Sequence, residues 1–200
     1  MTTAPLEQLA SALDGAETIV AGIRPREWEL PTPCPEWTVR GVVNHLVGSS
    51  RLFARILGGE ELPPREELIT ASRDDRLGYD PVAAYREAAA DLLAAFRADG
   101  ALDRMVTVPA GTIPGRGALW LRIVESLVHG WDIGRATGRP AVFPGPLVEQ
   151  ALEFTRMQLG RLPAAPPGRG PFAPPQPADD DAPPLDRLAA LLGRPVTVPA

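Results

Sequence analysis

The sequence contains no lysine; all 20 of its basic residues are arginine. It has one cysteine, Cys34, only two histidines, and no apolar run long enough to span a bilayer. Each shortage excludes something. A single cysteine cannot close an internal disulfide, so a reducing cytoplasm is the expected compartment. Residues 1–6 lack a basic segment followed by an apolar stretch, and no signal peptide is expected. The missing apolar run argues against a membrane partner. A net charge of −5 argues against a nucleic-acid partner, because phosphate binding calls for a basic face. What the chain does have is apolar content, 44% of 200 residues, which is enough to bury one core.

The apolar residues recur mostly at helical spacing. Leu6, Leu9, Leu13, Val20 and Ile23 predict a first amphipathic helix over residues 5–23. Thr38 is a good cap for a second helix that runs to about residue 57 and buries Val39, Val42, Val43, Leu46 and Phe53. Residues 60–79 read as a charged, irregular crossover. Asp80 followed by Pro81 opens a third helix to about residue 98. Residues 105–117 are β-prone and then broken by Gly and Pro, as in a short hairpin or a loop. A fourth, very apolar helix covers about 118–137, and a fifth about 146–160. Residues 163–184 are Pro-rich. A short amphipathic piece at 185–192 either caps the body or serves a homodimer. The expected architecture is therefore all-α: a four-helix bundle over residues 1–160 with one long crossover, then a Pro-rich C-terminal arm over 161–200.

Both histidines fall on predicted bundle helices, His45 on the second and His129 on the fourth. Glu125 precedes His129 by four residues, so the two project from one helix face. A carboxylate and an imidazole at that spacing can grip one ion, and a third ligand from a facing helix completes a three-point site. Nitrogen and oxygen donors suit Zn²⁺, with Ni²⁺ and Fe²⁺ as alternatives, and three protein ligands leave a coordination position open. Asp132, three residues after His129, can orient a ligand histidine from behind. The spacing alone reads first as a solvated stripe formed by Arg122, Glu125, His129 and Asp132, because a lone Glu-x-x-x-His is a weak motif.

Two longer motifs decide between these readings. Thr32-Pro33-Cys34-Pro35-Glu36-Trp37-Thr38-Val39-Arg40 leads into Asn44-His45-Leu46. Later comes Glu125-Ser126-Leu127-Val128-His129-Gly130-Trp131-Asp132, followed by Ala136-Thr137-Gly138. Together they resemble the metal-binding domain of mycothiol-dependent maleylpyruvate isomerases, within the DinB-like superfamily of four-helix bundles. The likeness spans about residues 5–160, and the ending from Asp186 to Pro195 is similar to that of a short actinobacterial subfamily. The resemblance implies a metal site at His45, Glu125 and His129, usually of zinc; Asp132 and Arg122 are the residues of the same helix face that can support it. It also implies mycothiol, a low-molecular-weight thiol, as cosubstrate, and transfer or isomerisation of an electrophilic small molecule. The family's isomerase carries a separate C-terminal domain where this chain has a Pro-rich arm, so maleylpyruvate itself is not carried over. A non-catalytic metal- or ligand-binding protein of the same fold is the alternative expectation.

Other features read as structural. Cys34 lies just before a helix N-terminus, where thiolates are stabilised, yet it reads first as a packed loop residue. Among Trp28, Trp37, Trp120 and Trp131, the last stands out for its nearness to His129. The glycines at 111, 115 and 117 lack the Gly-Lys-Ser/Thr ending of a phosphate loop. Asp179, Asp180 and Asp181 lack the spaced ligands of a calcium loop.

Overall fold

The computed structural model describes residues 5–35, 37–159 and 173–196. In chain order these residues form α1 (Pro5–Ala21), α2 (Val39–Leu57), a short α3 (Arg65–Ala71) and α4 (Pro81–Arg97). A two-stranded hairpin follows, β1 (Met105–Val108) and β2 (Gly111–Pro114), then α5 (Gly115–Thr137), α6 (Gly145–Leu159) and α7 (Pro184–Leu191). A single 3₁₀ turn, Pro25–Glu27, interrupts the connection from α1 to α2.

Four helices make the bundle. α1 and α2 each pack against both α4 and α5. The predicted apolar faces are the buried ones: Leu9, Leu13 and Val20 on α1, Val42, Val43, Leu46 and Phe53 on α2, and Leu92 and Phe96 on α4. The caps are those the sequence implies. Thr38 Oγ1 accepts from the Gly41 amide, and Asp80 Oδ1 from the Ala83 amide, each satisfying a first-turn N–H with no helical partner. α5 is covered nearly all round, and buries polar residues together with apolar ones. It starts at Gly115, closer to the hairpin than its apolar pattern implies, because the Gly115 amide donates to the Arg104 carbonyl at 2.9 Å and ties the helix start to the hairpin's base. It ends at Gly138, whose φ of 69° is the left-handed turn that glycine takes most easily.

The crossover between α2 and α4 contains α3, seven residues long with none buried. A helix of two turns carries too few apolar positions to reveal a period, so the sequence reads as irregular there. At the other end, α6 packs on α7, and α7 also reaches α5. The expected boundary near residue 160, and residues 160–172 of the Pro-rich stretch, lie outside the described residues; 173–183 run without a helix or strand. Among the described residues, no helix is long and apolar enough to cross a membrane.

Candidate metal centre

α2 and α5 face each other in the bundle, and this brings their two histidines to one carboxylate. Glu125 Oε2 accepts from His45 Nε2 at 2.9 Å, and His129 Nε2 stands 3.3 Å from the same oxygen. The two imidazole rings meet edge to face, with centroids 5.1 Å apart. One ligand atom from each of these three residues lies within 4.8 Å of the other two. The solvated-stripe reading fails on burial: Arg122, His129 and Asp132 are all buried, and Glu125 is mostly so.

The far side of His129 is also fixed. Its Nδ1 lies 3.0 Å from Asp132 Oδ2, one turn along α5. Arg194 then grips Asp132, with Nη2 donating to Oδ2 at 3.0 Å and Nε to Oδ1 at 3.3 Å. An imidazole whose Nδ1–H is held by a carboxylate presents its Nε2 lone pair forward once that nitrogen is deprotonated.

A loop covers the rings. Thr32 Oγ1 donates toward the Trp37 carbonyl at 2.9 Å, and the Cys34 amide donates to Thr32 Oγ1 at 3.2 Å. Pro31 and Thr38 pair as an isolated bridge, so the segment closes on itself just before α2. Trp37 is thereby set against His45, with ring centroids at 4.5 Å, and against His129 at 5.7 Å. Cys34 Sγ, a ring nitrogen of His129 and a carboxylate oxygen of Asp132 form a second group within 4.8 Å of one another.

The electrostatics follow from these contacts. Burial works against the Glu125 carboxylate, but the hydrogen bonds from His129 and His45 outweigh it and hold its pKa well below the usual carboxylate range. Burial pushes the His45 pKa down, and Glu125 only partly offsets this. For His129 burial acts in the same direction, yet Asp132 and Glu125 together raise its pKa above that of an ordinary imidazole. Arg122 is 2% exposed, with its guanidinium 5.1 Å over the Phe53 ring and Nη1 3.9 Å from Glu125 Oε2. Its Nε and Nη2 have no hydrogen-bond partner among the described residues, and burial lowers its pKa. It therefore supplies positive potential near Glu125 rather than a closed ion pair.

Two participants escaped the sequence. Trp37, and not Trp131, stands over the imidazoles; Trp131 turns its Nε1 to Asp186 Oδ1 at 2.6 Å. Arg194 carries no spacing signal that would link it to Asp132.

The Mycothiol maleylpyruvate isomerase N-terminal domain model matches residues 9–134. An uncharacterized protein of Mycobacterium tuberculosis (strain ATCC 25618 / H37Rv) is 33% identical over 195 residues, 96% of this chain and 98% of that one. A second uncharacterized protein of the same strain is 30% identical over 152 residues, 66% of this chain and 57% of that one. The crystal structure of the mycothiol-dependent maleylpyruvate isomerase superposes with a TM-score of 0.62 at 19% identity, over 80% of this chain and 72% of that one, and so shares the fold. With the family model covering most of the bundle and a relative matched almost end to end, this chain belongs to the mycothiol maleylpyruvate isomerase N-terminal domain family.

Proposed function

We propose that His45, Glu125 and His129 hold a divalent metal ion, zinc in the first place with nickel or iron as alternatives. We further propose that the chain uses it with a low-molecular-weight thiol, mycothiol in this family, to transfer to or isomerise an electrophilic small molecule in the cytoplasm. The observation that carries the reading is the convergence of Nε2 of two histidines from facing helices on one carboxylate oxygen. The donor set fits such an ion: two nitrogens and an oxygen with one position left open, as in hydrolytic and lyase zinc sites. Bound there, the metal would supply Lewis acidity, which favours the thiolate form of a coordinated thiol.

The remaining roles belong to the chain's own residues. Glu125 brings a negative charge that offsets part of the ion's. Asp132 holds the His129 ring by Nδ1, so that Nε2 faces Glu125. Trp37 lies against both imidazoles and limits water on that side. Arg122 adds positive potential beside Glu125, which favours an anionic nucleophile over a neutral one.

Elemental analysis of untagged protein tests the metal, with wild type beside His45→Ala, Glu125→Ala and His129→Ala after mild desalting. About one zinc or nickel per chain, lost in each variant, is expected of a three-ligand site. A wild type that is metal-free and takes up no added zinc would overturn the reading. With the metal established, a screen of electrophiles with and without thiol separates an enzyme from a protein that only binds.

A further inference from the structure

The segment 173–196 returns to α5 directly behind the candidate centre, and it does so through polar contacts to two consecutive residues. Asp186 accepts from Trp131, and Arg194 grips Asp132. Apolar packing sets the approach: Leu188, Ala189, Ala190 and Leu192 are all buried. The chain then turns at Gly193, where φ is 86° and a Cβ would come within 2.7 Å of the Ala173 carbonyl oxygen. That turn delivers Arg194 inward. Its amide donates to the Ala189 carbonyl at 3.0 Å, and its Nη1 to the Leu192 carbonyl at 2.9 Å.

The guanidinium is therefore oriented by its own segment before it meets Asp132. Arg194 is 5% exposed and Asp132 is fully buried. The contact is two-pronged, with both carboxylate oxygens engaged, and a two-pronged contact fixes the plane of the carboxylate as well as its position. Asp132 Oδ2 is shared: it meets Arg194 Nη2 and His129 Nδ1, each at 3.0 Å. Whatever fixes that carboxylate fixes the His129 ring.

We propose that Arg194 is a positioning residue of the centre: docked through α7, it fixes the Asp132 carboxylate that orients His129, so that metal binding and docking of segment 173–196 reinforce one another. The proposal rests on the reading that His45, Glu125 and His129 hold the ion. Reciprocity is required: if docking tightens the metal site, the metal must tighten docking by the same factor.

The experiment measures zinc affinity by chelator competition for wild type, Arg194→Met, Arg194→Lys, Asp132→Asn and the Asp132→Asn/Arg194→Met double variant. Amide hydrogen exchange of α7 is followed with and without zinc. Arg194→Met is expected to weaken zinc about 10-fold, the low end for residues behind metal ligands, and Arg194→Lys to recover part of it. The double variant should bind no more weakly than Asp132→Asn alone, because Arg194 acts through Asp132. Zinc should slow exchange in α7 of the wild type and not of Arg194→Met. Wild-type zinc affinity in Arg194→Met, or losses that multiply in the double variant, would overturn the proposal. If Arg194→Met does not fold, Asp186→Ala, which removes the acceptor of the Trp131 indole N–H, replaces it: lost α7 protection with unchanged zinc affinity is then the overturning result. A wild type that binds no zinc is the separate signature of a failed metal reading, and the proposal falls with it.

Discussion

The two histidines should respond differently to removal, and the difference follows from their surroundings. In metal-free protein, His45 is about a third exposed, at 32% of its side chain, and its imidazole donates to Glu125, which still has His129 beside it. His45→Ala therefore forfeits one partly solvated hydrogen bond, about 1 kcal/mol. His129 is buried, and its loss leaves a cavity and strips a partner from both Glu125 and Asp132. His129→Ala should cost about 3 kcal/mol. Zinc at a hundredfold excess over its dissociation constant adds about 2.7 kcal/mol to the wild type. For a chain of this size that is a rise in Tm of roughly 5–10 °C. Both variants should lose the zinc response, while only His129→Ala should melt much earlier without metal. Calorimetric scans at fixed free zinc read both effects. A zinc-induced rise of the same size in His45→Ala would refute the reasoning, because the ion would then sit elsewhere.

Zinc affinity should rise with pH. The raised pKa of His129 means that a proton must leave before its Nε2 can ligate, so affinity climbs about tenfold per pH unit below that pKa and flattens above it; a flat profile in chelator titrations would contradict this. Glu27 accepts from the Arg24 amide and from Arg139, and its pKa is lowered from 4.5 to about 2, chiefly by that backbone contact. Its contribution to stability is thus present above the unfolded value and lost as pH falls from about 4.5 toward 2. Glu27→Gln should lower the urea midpoint at pH 7 and blunt its decline in acid. Gly115→Ala and Gly117→Ala should shift Tm in opposite directions. A Cβ at 115 would be built into the backbone carbonyl of Ala101, costing about 3 kcal/mol, whereas at 117 it would meet only Ile113 at 3.7 Å and gain up to about 1 kcal/mol of helix propensity.

The bundle was legible because burial repeats with the helical period, and Leu9, Leu13, Val42, Leu46 and Leu92 report that period locally. The Glu125–His129 pair was legible for the same reason, since four residues along a helix is a fixed distance. His45 is 80 residues from Glu125, so the sequence offered it as a ligand from a facing helix without any spacing to fix it there, and the resemblance supplied the link. Local signals failed where loops decide. Trp37 reaches the imidazoles because Pro31 bridges Thr38 and Thr32 Oγ1 meets the Trp37 carbonyl, and Arg194 reaches Asp132 across 62 residues because α7 docks on α5. Neither arrangement has a period.

Two donor groups share His129, and the hydrogen bonds choose between them. In the group of Cys34, His129 and Asp132, the aspartate already gives both oxygens to Arg194 and one of them to His129 Nδ1. Ligating an ion there would break a buried ion pair and leave a buried guanidinium unpaired, a loss of about 3–5 kcal/mol. In the group of His45, Glu125 and His129, Glu125 Oε2 faces two imidazole Nε2 atoms, and the Arg122 guanidinium stands off at 3.9 Å. Those two N–H groups are what an incoming cation displaces, so that group can take the metal while the contact behind His129 stays intact. Cys34→Ser is accordingly expected to leave zinc stoichiometry and affinity unchanged, while Glu125→Gln abolishes tight binding. Chelator competition on the two variants checks it, and a loss confined to Cys34→Ser would move the ion to the other side of His129.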